Sequence, residues 1–464
     1  MFTIDNIRNN VVGLEKQVRL LDGSLKQYVF FDNGASTPSF TSTMEKTNEF
    51  LAWYSAVHRG NGIKSIVSTR AYEQAHEIAA EFVGADPEYH TTVFVKNTTE
   101  AINKLSYRLD LGEDGIVLTT GMEHHSNYLP WKRSGRYDFV KVDENGYLDL
   151  EDLKAKFEWY KQRIKLLAIT GASNISGIIN PYHDIAELAH KYGAYILVDS
   201  AQLAPHRKIE MLKNDDPRRI DFLVMSAHKM YAPFGTGVLI MPNNVISQGN
   251  PEFVGGGNAK IVTHWQTHWH SGADKEEAGS PNAVGAVAFA SSLKTLMEIG
   301  MDKVAQHELE LTEHILKRFE EIPEIELLIK TNKETLHNRL GVITFVVKDR
   351  NYLEIAAKLC FEYGIGLRSG RFCTQPYLMN LLKIPQDKNC DWVAKIINGD
   401  KFNIPGALRI SFGIYNTIEE IDYLVDSLKK VIYTESEYEY VKNEELGQFY
   451  PVGLDIEKEN YFNY

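Results

Sequence analysis

Short apolar runs alternate with helical hydrophobic patterns from Tyr28 to about Gly300. The clearest apolar runs are rich in β-branched residues: TTVFV, GIVLTT, KLLAIT, AYILVD and DFLVMS. This alternation is typical of βαβ units on a mostly parallel sheet, so we predict an α/β domain. Each run ends in small or polar residues, and we expect the chemistry at that carboxyl edge of the sheet.

The pattern changes after a predicted long helix that runs through Lys303 to Glu321. A smaller α+β set follows, with GVITFVV and ALRISF as strands and IEEIDYLVDSLKKV as a helix. The chain has 464 residues, more than one domain usually contains. We predict an N-terminal arm packing with the small domain (1–27), a large domain (28–300), a small C-terminal domain (301–433) and a tail (434–464).

The predicted tail is rich in Glu, Tyr and Asn and carries more acids than bases. A solvated tail is the simpler interpretation. The alternative is that its aromatic residues dock on a surface of the protein. These residues are Phe449, Tyr450, Pro451, Tyr461 and Phe462.

Charge and hydropathy disfavour two classes of partner. The chain has 62 acidic and 50 basic residues, a formal net charge of −12. Because nucleic-acid affinity rests on clustered Lys and Arg, we expect no nucleic-acid partner. The first residues, MFTIDNIRNN, contain no basic segment followed by an apolar core, and no apolar run is long enough to cross a bilayer. We therefore expect a cytoplasmic protein with no membrane partner.

Cysteine is rare in this chain, which contains only Cys360, Cys373 and Cys390. No spacing resembles a structural zinc site or a disulfide framework. Cys360 lies in the apolar run AAKLCF and is predicted to be a small buried hydrophobe. Cys373 lies in GLRSGRFCTQPY, whose glycines and proline predict an exposed loop. Nearby Arg368 and Arg371 would favour its thiolate form.

A lysine and an aspartate follow two of the predicted strands. Asp199 ends AYILVD, whereas Ser226, His228 and Lys229 follow the strand in DFLVMSAHKMY. Desolvation beside a buried strand lowers the pKa of an ammonium group toward a nucleophilic amine. Taken alone, Asp199 could cap a turn and Lys229 could be a surface charge. Their joint position at one sheet edge favours a shared pocket for a Schiff-base lysine.

Two weaker patterns suggest other ligands. The stretch THWQTHWH contains His264, His268 and His270, but no second ligand cluster supports a metal, and we predict none. The glycines from Gly255 to Gly257 lack the strand-to-helix context of a dinucleotide fingerprint. We therefore expect no NAD.

An ordered set of motifs extends from Phe31 to about Lys430: DNGASTP, VHRG, NTTEAIN, MEHHSN, SNISG, VDSAQ, SAHKMY, EAGSPN, RSGRFC and RISFGIYNT. In order and approximate spacing the set resembles the cysteine desulfurases of the class V aminotransferases, nearest the SufS-like group. The resemblance implies a pyridoxal-phosphate (PLP)-dependent transferase of fold type I. Such a fold has a large domain with a mostly parallel seven-stranded sheet and a smaller α+β C-terminal domain.

The resemblance also implies roles for residues around the cofactor ring. Lys229 would be the PLP lysine, and Asp199 would hold the proton on the pyridine nitrogen. Gln202 would contact the ring hydroxyl. His124 would stack on the ring and take part in catalysis, whereas His125 is interpreted as a structural histidine.

The cofactor phosphate would be bound by another group of residues: Thr98, Thr99, Ser226 and His228. The run NTTEAIN is typical of a helix start whose N–H groups face an anion, and it also matches a capping box. In the family the residue that matches Ser280 reaches the phosphate of the neighbouring subunit. The resemblance therefore implies a homodimer.

On the substrate side, Arg409 matches the arginine that binds the substrate carboxylate, for which a guanidinium is suited. Asn174 would add a second contact, and His58 of VHRG is grouped with these substrate residues. A salt-bridged structural arginine is the alternative for Arg409. Cys373 matches the cysteine that attacks the substrate sulfur, and it is our candidate nucleophile.

The sequence departs from the SufS-like pattern directly before the nucleophile and, by additional residues, in two later segments. Arg371 and Phe372 occupy the places of two histidines that precede the cysteine, so a proton shuttle through those histidines is absent. The segment between Cys373 and Arg409 is also longer than in that group, and the acidic tail is additional.

The resemblance predicts a cysteine desulfurase that converts L-cysteine to L-alanine and leaves the sulfur on Cys373 as a persulfide. An acceptor protein for Fe–S cluster or thio-cofactor assembly would then take the sulfur. Selenocysteine is an open alternative substrate. Two other functions stay open: another class V aminotransferase, lyase or epimerase with no persulfide step, and an inactive scaffold for sulfur or Fe–S partners.

Overall fold

The structure is a computed structural model that describes residues 2–58, 60–387, 390–454 and 461–462. Its strands are β1 (Gln17–Arg19), β2 (Leu25–Gln27), β3 (Val29–Phe30), β4 (His90–Val95), β5 (Ile116–Thr120), β6 (Tyr137–Val140), β7 (Ile164–Thr170), β8 (Tyr195–Asp199), β9 (Phe222–Ser226), β10 (Gly237–Pro242), β11 (Ala259–Val262), β12 (Thr267–Trp269), β13 (Ile325–Leu327), β14 (Val342–Val347), β15 (Ile365–Gly366), β16 (Arg368–Gly370), β17 (Ala407–Ser411), β18 (Tyr440–Asn443) and β19 (Gln448–Pro451).

The α-helices are α1 (Ile4–Ile7), α2 (Thr41–Trp53), α3 (Ile63–Phe82), α4 (Thr98–Arg108), α5 (Leu129–Ser134), α6 (Leu150–Tyr160), α7 (Tyr182–Lys191), α8 (Asn243–Ser247), α9 (Ala273–Glu276), α10 (Ala283–Ile299), α11 (Met301–Phe319), α12 (Lys333–Leu336), α13 (Tyr352–Tyr363), α14 (Gln375–Leu381), α15 (Asp391–Ile397) and α16 (Ile418–Tyr433). In the part of the chain that the structure describes, no single helix is long and apolar enough to cross a membrane. Among the described residues, one pair of helices, α10 and α11, reaches that length and composition when taken together, with a bend of 77° at Gly300.

Two compact units make up the chain. The first contains Met1–Asn10, Ser36–Ser173 and Ile178–Ala305, and the second contains Val11–Ala35, Asn174–Gly177 and Gln306–Tyr464. The predicted arm, residues 1–27, is thus divided between the units, because α1 clusters with the first and β1 and β2 with the second. The predicted tail, residues 434–464, clusters with the second unit, although residues 455–460, 463 and 464 lie outside the described residues.

A seven-stranded sheet organises the first unit, in the order β4-β10-β9-β8-β7-β5-β6. Strand β10 runs antiparallel to both β4 and β9, whereas the other neighbours pair in parallel. Strands β5, β8 and β9 are buried over nearly every residue, which explains their continuous apolar sequences. The apolar runs predicted as strands form β4, β5, β7, β8 and β9, so those predictions are confirmed.

The second unit has a four-stranded antiparallel sheet in the order β13-β14-β17-β16. Its core packs apolar residues of β14 and β17 against α11, α13 and α16, with Phe345 and Phe412 fully buried. Thr417 begins α16 with a capping box that includes Glu420. The predicted strands GVITFVV and ALRISF and the predicted helix IEEIDYLVDSLKKV are therefore confirmed as β14, β17 and α16.

An antiparallel hairpin, β18 and β19, forms within the predicted tail. The ring of Tyr450 lies 5.3 Å from that of Phe361 on α13, and the ring of Phe449 lies 5.6 Å from that of Phe402. Tyr440 also donates a hydrogen bond to Glu362 over 2.8 Å. The aromatic residues of the hairpin thus dock on the second unit, as the alternative interpretation of the tail proposed.

Candidate functional site

The first group of candidate residues lies where β9 ends and α4 begins. The Thr98 amide donates to Ser226 Oγ over 2.9 Å, and Ser226 Oγ donates to Thr98 Oγ1 over 2.8 Å. Asn97 caps α4 and accepts from the Glu100 amide. A side chain at Gly237 would collide with Asn97, since its Cβ would lie 2.9 Å from the Asn97 Cα. Strand β10 therefore leaves room for the start of α4 only because position 237 is glycine.

Thr99 and His124 are joined through Ser126. The hydroxyls of Thr99 and Ser126 lie 2.6 Å apart, and Ser126 Oγ lies 3.0 Å from His124 Nδ1. The Ser126 amide also donates to His124 Nδ1 over 3.1 Å. Because this amide bond requires Nδ1 to be an acceptor, the ring proton lies on Nε2 when His124 is neutral. His124 thereby caps the short 3-10 helix His125–Asn127 and keeps a fixed orientation.

Glu123 is a buried carboxyl group that our sequence interpretation did not single out. Its Oε1 accepts from Thr120 Oγ1 (2.6 Å) and from the Thr170 amide (2.9 Å). Its Oε2 accepts from Asn127 Nδ2 over 2.6 Å. Burial raises the pKa of Glu123 to about 8, although the three hydrogen bonds oppose this rise. Glu123 thus links β5 and β7 to the turn that follows His124.

Asp199 and Lys229 follow neighbouring parallel strands, β8 and β9, as the sequence predicts. The side chain of Asp199 is buried, and its Oδ1 accepts from the Ala201 amide over 3.1 Å. Burial raises the pKa of Asp199, whereas the Ala201 bond and the charge of Lys229 lower it. Lys229 is therefore near enough to affect the ionisation of Asp199. Gln202 lies three residues further along and is also buried.

The turn that carries Lys229 is held by the DNGASTP motif. The carbonyl of His228 accepts from the Thr37 amide (2.8 Å) and from Ser36 Oγ (3.0 Å). Thr37 Oγ1 in turn accepts from the amide of Tyr231, a residue with a positive φ of 61°. These bonds fix the backbone on both sides of Lys229.

The second group of candidate residues lies in the second unit around Arg409, which is only 3% exposed. Arg409 Nη2 donates to Asp32 Oδ1 over 2.8 Å, and Nη1 donates to the Asn174 carbonyl over 3.0 Å. Its Nε is buried and has no hydrogen-bond partner among the residues that the structure describes. Burial lowers the pKa of Arg409, and Asp32 opposes that effect. A buried guanidinium with an unused donor is suited to one further anionic ligand.

Cys373 is exposed, as predicted, on a loop that hydrogen bonds to Asn174. Asn174 Nδ2 donates to the Phe372 carbonyl over 2.8 Å, and Asn174 Oδ1 accepts from Thr374 Oγ1 over 2.7 Å. Both ends of the Asn174 amide are therefore bound to the loop in this structure. Phe372 and Cys373 have positive φ angles of 55° and 53°, a conformation that costs about 1–3 kcal/mol per residue.

The two arginines predicted to favour the thiolate, Arg368 and Arg371, have different surroundings in the structure. Arg368 Nη1 lies 3.7 Å from Asp32 Oδ2, with about half of its side chain exposed. Burial raises the pKa of Tyr352, an effect that Arg371 opposes electrostatically, and no described residue forms a hydrogen bond with the buried Nη1 of Arg371. The Cys373 sulfur is close enough to Arg409 to affect the ionisation of that guanidinium.

His58 and Ser280, the other predicted site residues, are both on the protein surface. His58 is exposed, has a φ of 62°, and lies about 4 Å from Glu73 and Asp274, while Arg59 of the same VHRG motif lies outside the described residues. Ser280 is exposed. The histidines of THWQTHWH lie on or beside the hairpin of β11 and β12. Among the described residues, no group of three or more His, Cys, Asp or Glu side chains could hold a metal ion.

The sequence profile of the family described as aminotransferase class-V matches residues 29–424. A cysteine desulfurase of Haloferax volcanii is 32% identical over 416 residues, which cover 88% of this chain and 90% of that protein. A probable cysteine desulfurase of Synechocystis sp. is 33% identical over 417 residues, covering 87% and 91%. The solved apo structure of a cysteine desulfurase from Thermococcus onnurineus has a TM-score of 0.78 and 27% identity, covering 93% of this chain and 98% of that one.

Proposed function

The chain belongs to the class-V aminotransferase family, and we propose that it is a PLP-dependent cysteine desulfurase, as its relatives are named. The main support for the proposal is the connection between Cys373 and Arg409. The exposed thiol of Cys373 and the buried guanidinium of Arg409 are joined through Asn174, which binds the Phe372 carbonyl and accepts from Arg409. A nucleophile is thereby held beside a cation suited to an amino-acid carboxylate.

The residues of the first unit fit PLP. The hydroxyls of Thr98, Thr99 and Ser226 and the amides at the start of α4 would hold the phosphate. Asp199, a carboxylate that is buried but close to a lysine, suits a protonated pyridine nitrogen, and Gln202 would contact the ring hydroxyl. Lys229 supplies the amine. When bound, PLP provides the electron sink for bonds at the substrate α-carbon.

His124 and His228 complete the proposed cofactor group. The Ser126 amide holds His124 Nδ1 as an acceptor, so the neutral ring presents its Nε2–H and one face for stacking. The carbonyl of His228 is fixed by Ser36 and Thr37, which sets the direction in which the next residue, Lys229, leaves the turn.

The proposed sulfur step assigns Lys229, Arg409 and Cys373 the roles that the family resemblance implies. Lys229 Nζ takes the α-proton of L-cysteine, while Arg409 orients the carboxylate. The Cys373 thiolate then attacks the substrate sulfur, so that an S–S bond forms and the substrate C–S bond breaks. The electron pair of the broken bond and two protons remain with the three-carbon product, which leaves as L-alanine. One of these protons is the α-proton, which Lys229 returns to the α-carbon. The other is the proton released from the Cys373 thiol, which goes to the methyl carbon. The substrate S–H proton stays on the transferred sulfur, so that Cys373 ends as a persulfide.

Further parts of the proposal concern partners. A homodimer, in which Ser280 reaches the phosphate of a second subunit, follows from the family resemblance, as does an acceptor protein for the sulfur. His58 is proposed as a substrate-side residue on the same basis. A cytoplasmic location stays a prediction.

The proposal is tested by measuring alanine and sulfide from L-cysteine, with a reductant, together with the visible absorption spectrum. We expect the wild type to be yellow and active. Lys229→Ala should lose both colour and activity, whereas Cys373→Ala should stay yellow and lose activity. Cys390→Ala is the matched control and should behave as the wild type. A fully active Cys373→Ala would instead favour another class V reaction without a persulfide step, and a colourless wild type would favour the scaffold.

A further inference from the structure

Phe372 occupies one of the two positions at which the chain departs from the SufS-like pattern. Its side chain is buried, and the centre of its ring lies 5.1 Å from the guanidinium carbon of Arg409. This distance is within the range of a cation–π interaction, which is strongest where water is excluded. The ring of Phe372 therefore covers the guanidinium of Arg409. Phe372 is also the residue directly before the nucleophile, Cys373, in the sequence.

The N–H groups of the Arg409 guanidinium differ in their hydrogen bonds. Nη1 is bound to the Asn174 carbonyl and Nη2 to Asp32, whereas the buried Nε has no hydrogen-bond partner in the described part of the chain. Because the aromatic ring removes water without accepting these N–H bonds, an anion that reaches Arg409 meets a desolvated cation of fixed orientation. Attraction between charges is stronger in such a setting than in water.

The backbone of Phe372 fixes the nucleophile at the same time. Its carbonyl accepts from Asn174 Nδ2 (2.8 Å) and from Thr374 Oγ1 (3.3 Å). The following residue, Cys373, shares the left-handed conformation of Phe372. One residue thus connects the orientation of the guanidinium with the position of the thiol.

We propose that Phe372 is a specificity-determining residue that makes Cys373 act preferentially on substrates with an α-carboxylate, by desolvating and orienting Arg409. This inference rests on the proposed function for its substrate, but its physical core, an anion preference at Cys373, is independent of turnover. A histidine at this position would add a titratable group beside Arg409, whereas phenylalanine keeps position 372 aromatic and uncharged across the physiological pH range.

The first test measures alkylation of Cys373 in the full-length protein, with peptide mass spectrometry to distinguish the three cysteines. Iodoacetate carries a carboxylate and iodoacetamide does not, so the ratio of their rates at Cys373 reports the anion preference. We expect Phe372→Leu to lower this ratio by roughly ten-fold and Phe372→Tyr, which keeps the ring, to stay near the wild type. Cys390 in the same samples is the internal control, and its ratio should not change.

A merely structural role for Phe372 gives a different result. Loosening of the loop would change the rates of both reagents by the same factor and leave their ratio unchanged, which would overturn the proposal. An equal fall in the ratio for Phe372→Tyr would overturn it as well. If Phe372→Leu does not fold, Phe372→Met carries the same expectation.

The second test uses steady-state kinetics. We expect Phe372→Leu to raise KM for L-cysteine by roughly ten-fold with a smaller change in kcat. Phe372→Tyr keeps the aromatic ring, so its KM should stay near that of the wild type. If the wild type does not convert L-cysteine, the proposed function fails, while the alkylation ratio still decides the role of Phe372. A fall in kcat at constant KM, together with an unchanged ratio, would contradict the inference.

Discussion

Arg409 Nη2 and Asp32 Oδ1 lie 2.8 Å apart although 377 positions separate the two residues in the sequence. The parallel bridge between Asp32 and Ser411 brings the DNGASTP segment beside β17, the strand that carries Arg409. Asp32 thus balances the charge of a guanidinium that is almost completely buried. The aspartate at the start of DNGASTP is therefore part of the Arg409 group.

Asp32→Ala should destabilise the second unit strongly, because it leaves a buried cation without its carboxylate. We expect a loss of about 3–5 kcal/mol in the free energy of unfolding, measured by urea denaturation. The control is Arg368→Ala, which removes the half-exposed partner at 3.7 Å and should cost less than about 1 kcal/mol. Equal losses for the two variants would contradict the assigned roles.

Glu123 should make stability depend on pH. A carboxyl group whose pKa rises from 4.5 in the unfolded chain to about 8 in the folded protein binds its proton preferentially in the folded state. The free energy of unfolding therefore contains a contribution that is complete below pH 4.5 and is lost as the pH rises to about 8. Glutamine cannot titrate, so Glu123→Gln should lack this loss.

The measurement for Glu123 is the urea midpoint of both proteins near pH 5 and near pH 8.5. Glu123→Gln places an amide N–H against the Asn127 amide and should cost about 1–3 kcal/mol at the lower pH. From the lower to the higher pH, the wild type should lose more stability than the variant. Parallel losses would show that Glu123 does not titrate in this range.

Tyr450 should stabilise the C-terminal hairpin by its contact with Phe361. Tyr450→Ala removes this ring contact and should lower the free energy of unfolding by about 1–2 kcal/mol. Val441→Ala, on the neighbouring strand, removes a half-exposed side chain and serves as the control with little expected change. Thermal or urea unfolding distinguishes the two. If Tyr450→Ala does not change the free energy of unfolding, the segment is better interpreted as a solvated tail.

Much of the fold followed from the sequence because its strands are short, apolar and β-branched. The buried strands β8 and β9 read as continuous apolar runs, so the positions of Asp199 and Lys229 at neighbouring strand ends were predictable. The fold class, a mostly parallel seven-stranded sheet with a smaller α+β part, is confirmed. The antiparallel direction of β10 was not predicted, because periodicity does not report how neighbouring strands are oriented.

The contacts around the site were less predictable, since they join distant parts of the chain. The predicted substrate contact of Asn174 stays a prediction, and the structure adds a contact that the sequence did not indicate: both ends of its side-chain amide are bound to the Cys373 loop. Asp32 and Glu123 stood inside recognised motifs and could have been singled out as charged residues beside apolar runs. Their partners, however, depend on tertiary packing. The ring contact of Phe372 with Arg409 likewise has no signal in local sequence.

In the proposed reaction, Cys373 receives the sulfur of L-cysteine. The most direct measurement incubates the purified full-length protein with one equivalent of L-cysteine without reductant, and then analyses the cysteine-containing peptides by mass spectrometry alongside released alanine. We expect alanine together with a gain of one sulfur atom on the Cys373 peptide, and no gain on the peptides of Cys360 or Cys390. Formation of alanine with no sulfur on Cys373, or with the sulfur on another cysteine, would contradict the proposed reaction.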